Sequence, residues 1–470
     1  MLERRGREQD CLFVVGSLRN LIPDDHILRR VDRVLDLSWL RAEVQEFYDE
    51  SNGRPGIDPE AAVRLMLAGF FQGIIHDRKL LREAQVNLAI RWFAGYKLDE
   101  RLPDHSSLTR IRQRWGATLF KKIFERTVAD CAAHGLISGE TVHIDATLIR
   151  ANASMSSITS AHADAVWVAN GPEPTEPIDP NSGRGDGRAR SDARVNATVR
   201  SATDPDATLA TGAFGQPSRP RYKQHTAVDE RAQIIVDVAL TTGAAPEERE
   251  LLPQLKRIEQ RLGAPVKAVT TDKQYGIAAN YAALEALGID AVMPTQAGQI
   301  YSAMPISEFK FDAQHDLFVC PRGRKLRFKS RDERNRRVYR THRKDCQNCP
   351  LASKCVGAGR VRSLKINDGY PALLRARRRQ LRREPADRIR LAQHRWQVEG
   401  IHGESKQQHG LDRAVRRRIG NVEIQMFLTA AVINLKRLAR EKSNDEPPEL
   451  NAQPEIGVQN AFTAQMRCAA

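Results

Sequence analysis

Two aspartates in this sequence stand where apolar residues make a charge expensive. In Val142-His143-Ile144-Asp145-Ala146-Thr147 an acid lies within or ends a strand-like apolar run. Burying such a carboxylate without a partner or a metal costs several kcal/mol, on the order of its lost hydration. Val266-Lys267-Ala268-Val269-Thr270-Thr271-Asp272 repeats the pattern, with Tyr275-Gly276 opening the turn that follows. The carboxyl ends of strands in α/β sheets are where ligands bind, so two acids placed there can converge on one metal. Taken singly, either aspartate is also explained as a helix cap after its strand. A third motif favours the chemical reading. Arg395, Glu399, His402 and Lys406 follow one another at helical spacing and share one helix face. An acid flanked by cations can complete a metal site while the cations hold phosphate. The alternative is an ion-pair ladder on a solvated helix. Gly400 and Gly403 argue against that ladder, since each glycine costs roughly 0.5–1 kcal/mol relative to Ala in a helix.

A second kind of chemistry is spelled in cysteine. Cys320, Cys346, Cys349 and Cys355 cluster, and Cys346 with Cys349 has the two-apart spacing that lets one turn offer two thiolates to a Zn²⁺ ion. The other two lack a close pairing of that kind, so four reduced thiols packed in a basic loop region are the alternative reading. Cys11, Cys131 and Cys468 stand alone and read as isolated thiols.

These residues need elements to hold them. Residues 1–135 carry apolar residues at helical spacing with start signals between them, for example Asp58-Pro59 and Asp104. Within Ser106 to Trp115, Arg110, Arg112 and Arg114 accompany Leu108 and Ile111, the pattern of a helix that packs on one side and meets DNA phosphates on the other, and equally that of a solvated basic helix. A first part of an α/β core is expected over 136–300: a strand at Glu140–Ile149, a hairpin of Tyr222–Asp229 with Gln233–Thr241, a helix at Glu247–Leu262 and a strand at Val266–Thr271. Inside it, residues 171 to about 220 are rich in Pro, Gly, Ser, Asp and Arg without a period, and read as a disordered insertion. Residues 301–380 form a basic cysteine-containing insertion, with twelve Lys or Arg against three acids between Pro321 and Pro350. C-terminal helices of the core follow over 381–440, and 441–470 reads as a disordered tail.

Composition points to the partner. Lys and Arg outnumber Asp and Glu by 74 to 58, a formal net charge of +16, which favours a polyanion through counterion release. Nucleic acid leads. The membrane alternative fails because no apolar run is long enough to span, and the greasiest stretch, Met426 to Leu438, is broken by Thr429, Asn434, Lys436 and Arg437. A cytoplasmic, nucleoid-associated protein is expected, since the short apolar run Cys11 to Leu18 lacks the length and cleavage site of a signal peptide.

In order along nearly the whole chain, these motifs resemble those of DDE transposases of bacterial insertion sequences, in the insertion-sequence 4 and 5 clan and its 1182-type branch. Ile144-Asp145-Ala146-Thr147 through Ala151-Asn152-Ala153 is similar to the family's first-acid motif, and Asp272-Lys273-Gln274-Tyr275-Gly276 to its second. Arg395, Glu399 and Lys406 match its Arg, Glu and Lys signature, although Ala392 replaces the usual Tyr. Thr203-Asp204-Pro205-Asp206-Ala207 and Tyr222-Lys223-Gln224-His225 also resemble family motifs. The resemblance implies a ribonuclease-H-like catalytic core with a helical N-terminal DNA-binding domain. It implies that Asp145, Asp272 and Glu399 bind two Mg²⁺ ions, with Mn²⁺ as the alternative, roughly 3.5–4 Å apart. One ion would activate the attacking oxygen and the other would stabilise the leaving one. The reaction would be cleavage at the element's terminal inverted repeats and joining of a 3′ end to target DNA, by a homodimer on double-stranded DNA. Arg395 and Lys406 would hold the scissile strand. Lys223 and His225 share a strand face that would line the DNA path, with plain structural hydrogen bonding as the alternative reading. Two further readings are a non-catalytic sequence-specific DNA-binding protein and a nuclease on the same fold. Intact acids in all three motifs speak against the first, and strand-transfer products would exclude the second.

Overall fold

The computed structural model describes residues 17–49, 56–160, 195–212, 216–295, 304–332, 335–356, 361–382 and 384–445. Residues 171–194 and 446–470, which hold about half of the expected disordered insertion and most of the expected tail, lie outside the described residues, as do Cys11, Cys468 and Arg334.

Six helices open the chain: α1 (Ile27–Asp32), α2 (Leu40–Val44), α3 (Pro59–Phe71), α4 (Asp77–Val86), α5 (Leu88–Phe93) and α6 (His105–Ala133). Two of their starts, those of α3 and α6, are the ones the sequence signals. Asp58 accepts from the amides of Glu60 and Ala61 with Pro59 in the first turn, and Asp104 accepts from Ser106. α6 breaks at Gly116, whose φ of 67° an L side chain rarely adopts.

Eight strands follow: β1 (Thr141–Arg150), β2 (Ile158–Ser160), β3 (Val199–Ser201), β4 (Thr208–Ala210), β5 (Arg219–Asp229), β6 (Ile234–Thr242), β7 (Ala268–Thr271) and β8 (Asp290–Val292). Helix α7 (Leu251–Leu262) lies between β6 and β7, and α8 (Ala278–Ala286) between β7 and β8. In the main sheet β5 is antiparallel to β1 and to both β4 and β6, whereas β7 runs parallel to β1 and β8 parallel to β7. The spatial order β6-β5-β1-β7-β8 places β1 in the middle. Asp229 fixes where β1 begins, because its carboxylate accepts from the amides of Ser138 and Gly139 at 3.1 and 2.8 Å.

The expectation of an irregular chain up to about residue 220 is corrected over 195–212, which holds β3 and β4. Polar side chains supply the order that apolar periodicity would otherwise reveal. Asn196 bonds both backbone groups of Leu209 at 2.7 and 2.8 Å. Buried Asp204 accepts from Tyr222 Oη at 2.7 Å and from the amide of Arg418 at 2.9 Å. Asp206 accepts from Ile419, so the Asp204-Pro205-Asp206 turn caps the start of the last helix.

A second, antiparallel sheet has the order β13-β12-β11-β10-β9. Its strands are β9 (Lys310–Asp312), β10 (Leu317–Val319), β11 (Lys325–Arg331), β12 (Arg337–Arg340) and β13 (Ser363–Ile366), with α9 (Arg343–Gln347) and α10 (Ala352–Cys355) between the last two. It has its own small core of Phe309, Phe318, Leu326, Tyr339, Leu364, Ile366 and Tyr370. The chain then returns through α11 (Tyr370–Arg382), α12 (Pro385–Gln407) and α13 (Ile419–Asp445). α12 packs on β1, β5, β7 and β8, and α13 packs on α1, α3, α6 and β6. Met426, Leu428, Val432, Leu435 and Leu438 of α13 are buried, as a core helix requires. No helix among the described residues is long and apolar enough to cross a membrane.

Candidate active site

The strand register brings the two aspartates together. β1 pairs with β7 up to Ile144 opposite Thr271, so Asp145 and Asp272 are the next residues on two adjacent parallel strands. Asp272 then starts a short turn, accepting from the amide of Gln274 at 2.8 Å, so it acts as a cap as well. Gly276 closes this turn where a Cβ would stand 2.1 Å from the carbonyl oxygen of Pro294. Only glycine lets the two backbones approach so closely.

α12 lies along the same face of β1. His394 Nδ1 and His143 Nδ1 both contact Thr270 Oγ1, at 3.3 and 2.5 Å, and both rings are buried, which lowers their pKa values to about 4. Two turns on, His402 Nδ1 stands 3.6 Å from Asp145 Oδ2, and one turn further Lys406 Nζ donates to Thr147 Oγ1 at 2.6 Å. Burial holds His402 down to about 3, so this imidazole is neutral and offers Asp145 no charge.

The consequence is a crowded, uncompensated pair of acids. Burial first, then repulsion from Asp272, Glu247 and Glu399, pushes Asp145 up to about 8. Burial and Glu247 raise Asp272 to about 6. A divalent cation is the natural compensation for such a pair, so the donor set fits one. Among the described residues, however, no three histidine, cysteine or acidic side chains stand close enough together to hold an ion as they are placed. Glu399 is one residue round the helix from buried Val398, its side chain 66% exposed and 3.9 Å from Arg395, itself 80% exposed.

Glu247 is a neighbour that the sequence motifs did not single out. It begins the short turn after β6 and pairs with Lys223 Nζ at 3.1 Å. An acid pair, Glu247-Glu248, directly after a strand and before an amphipathic helix was the available signal.

Three expected DNA contacts are corrected. Arg112 is buried and donates to both oxygens of Asp77 at 2.8 and 2.9 Å, so it braces α6 against α4. His225 is buried with Nε2 2.9 Å from Thr241 Oγ1. Lys223 is nearly buried and spent on the Ala245 carbonyl and Glu247. Arg110 and Arg114 are exposed, Arg114 lying 4.7 Å over the Tyr48 ring. A cleft of about 420 Å³ adjoins this helix, lined by Thr109, Gln113, Asn152, Arg416, Arg417 and Arg418 among others. The four cysteines Cys320, Cys346, Cys349 and Cys355 all line another cavity, in the second sheet's domain.

Comparison with known proteins adds two family matches. Residues 16–114 match a transposase domain (DUF772), and residues 319–439 match a transposase DDE domain, a span holding Glu399 and the four clustered cysteines but neither aspartate. No curated protein matches the sequence. Among solved structures, a piggyBac transposase synaptic complex with hairpin DNA aligns over 94% of this chain and 86% of that one, at 11% identity and a TM-score of 0.31. The Mos1 transposase paired-end complex with left transposon end aligns over 54% of this chain and 65% of its own, at 10% identity and a TM-score of 0.16. The Mos1 mariner paired-end complex with Mn gives a TM-score of 0.16 at 10% identity, over 54% of this chain and 64% of that one.

Proposed function

The chain is an insertion-sequence DDE transposase, a DNA transposase, and on that premise we propose that Asp145, Asp272 and Glu399 are its catalytic acids, acting in a ribonuclease-H-like core. The observation that carries this reading is the adjacency of Asp145 and Asp272 where parallel β1 and β7 part, both carboxyls raised by burial and by neighbouring acids. The strand order β6-β5-β1-β7-β8, antiparallel on one side of β1 and parallel on the other, supports the core assignment.

DDE transposases use divalent metal ions. Asp145 and Asp272 would hold Mg²⁺ or Mn²⁺ with Glu399 as third ligand; the bound ions would activate the attacking oxygen and stabilise the leaving one. The protein's own part is positioning. His143 and His394 pin α12 to the sheet through Thr270, and Lys406 fixes the helix through Thr147, which together set where Glu399 can reach. Arg395, exposed beside Glu399, is free to fork onto a phosphate. Arg417 and Arg418 in the cleft beside Asn152 offer backbone-directed charge to the flanking duplex.

The test incubates the full chain with Mg²⁺ or Mn²⁺ and DNA carrying the flanks of its own gene, then maps the ends. Wild type should cut and join a labelled 3′ end to a second duplex. Asp145→Asn, Asp272→Asn and Glu399→Gln should each reduce cutting by at least about 100-fold while DNA affinity stays within about threefold, since metal ligation serves the chemical step. Robust metal-dependent cutting by one of them removes that residue from the set. Cutting without joining by wild type would make the chain a nuclease on this fold.

A further inference from the structure

The second sheet carries a feature that the reaction does not use. Its core has seven buried apolar side chains among the described residues, and Cys320 and Cys355 pack against it. Cys320 lies on the turn between β10 and β11, Cys346 and Cys349 on α9 and the residues after it, and Cys355 ends α10. All four line one cavity of about 20 Å³, with Phe309, Thr341 and Arg362 among its other walls. That volume admits one water-sized occupant.

Each loop is already folded as a ligand turn. Around Cys320 the chain doubles back: its amide donates to the Arg324 carbonyl at 2.9 Å, its carbonyl accepts from Gly323 at 2.8 Å, and its Sγ accepts from the Arg324 amide at 3.3 Å. An amide aimed at sulfur stabilises a thiolate more than a thiol. Cys346 Sγ is 3.1 Å from Thr341 Oγ1, and Cys349 donates its amide to the Cys346 carbonyl at 3.4 Å, holding the two thiols in one turn. Arg362 donates to the Cys355 carbonyl at 2.8 Å and to the Met304 carbonyl at 2.8 Å, which sets a fixed positive charge beside the cluster.

We propose that Cys320, Cys346, Cys349 and Cys355 bind one structural Zn²⁺ that ties the β10–β11 turn to α9 and α10. The sulfurs surround the cavity without three of them yet close enough to share an ion, so binding closes the cavity by side-chain rotation. Four Zn–S bonds form, four S–H protons pass to solvent, and no electron changes hands. Arg362 and Arg324 offset the resulting negative charge. This site is independent of the carboxylate pair and stands or falls without it.

The experiment measures zinc in full-length protein purified without chelator and dialysed against Mg²⁺. Expected are about one zinc per chain in wild type and in Asp145→Asn, and less than about one fifth of that in Cys349→Ser. Replacing the zinc with Co²⁺ should produce an intense thiolate-to-metal charge-transfer band. If Cys349→Ser fails to fold, the wild-type stoichiometry and the cobalt band still decide. Zinc-free wild type that takes up Co²⁺ without that band overturns the proposal. So does a zinc content that survives Cys349→Ser and Cys320→Ser but is lost in Asp145→Asn.

Discussion

Asp145 and Asp272 differ from surface acids in how they answer to pH. Both folded pKa values, about 8 and about 6, lie above the ordinary value of 3.8. Between those limits the folded protein keeps protons that the unfolded chain releases, so their contribution to stability falls as pH rises. Metal-free wild type should therefore lose more thermal stability between about pH 5 and about pH 8 than Asp145→Asn does, and Glu247→Gln should shrink the loss by relieving Asp272. Equal slopes in thermal scans of all three would show that the acids do not repel. Arg112 makes a different prediction, because Asp77 is buried between it and Arg416. Burial pushes the Asp77 carboxyl up, yet the two guanidiniums outweigh it and hold it below its ordinary value. Arg112→Met should destabilise the N-terminal helices by about 3 kcal/mol in urea denaturation, as removing one partner of a buried ion pair does. A change no larger than a surface substitution would return Arg112 to the DNA-facing set. The contrast shows what was legible. Asp145 and Asp272 could be found because an acid in an apolar strand is conspicuous by its cost. Arg112, Lys223 and His225 were open to two readings in the sequence because residue type reveals charge and not which way the side chain faces. Glu247 escaped because its relation to the aspartates exists only after the strands pair.

Among the elements, the strands and helices around the site follow the sequence closely, with β1, the β5–β6 hairpin, α7 and β7 all within three residues of expectation at either end except for the start of α7. Their hydrophobic periods are strong, and periodicity is what a single sequence displays best. The second sheet was legible only as a basic, cysteine-bearing stretch, since its strands are short and the longest of them, β11, is largely exposed. Two glycines separate backbone conformation from close contact as causes. A Cβ on Gly116 would meet nothing within 4 Å, so Gly116→Ala should cost only about 1 kcal/mol through its positive φ. Gly276→Ala must instead displace the Pro294 carbonyl. It should lower the melting temperature more and weaken metal-dependent cutting, because the turn that presents Asp272 moves with it. Thermal scans ranking Gly116→Ala as the more damaging would contradict this account.

Over the whole molecule, the excess of basic residues should make DNA affinity steeply salt-dependent, with a log–log slope of roughly −0.9 for each phosphate neutralised. Charge reversal of Arg417 and Arg418 should flatten that slope by roughly one to two phosphates' worth if their cleft carries the duplex. An unchanged slope would place the DNA elsewhere. A different consequence follows from α13. This helix is the wall against which α1, α3, α6 and β6 all pack, and buried Asn434 bonds both the amide and the carbonyl of Ile235, at 2.9 Å each. During synthesis those earlier elements emerge from the ribosome long before their partner, and so present greasy faces with nothing to cover them. A nascent chain that already contains Asp145, Asp272 and Glu399 still lacks the helix that seats its sheet. Translation must run through this helix before the sheet is seated, so a message interrupted earlier yields protein that bears all three proposed catalytic acids on an uncovered core.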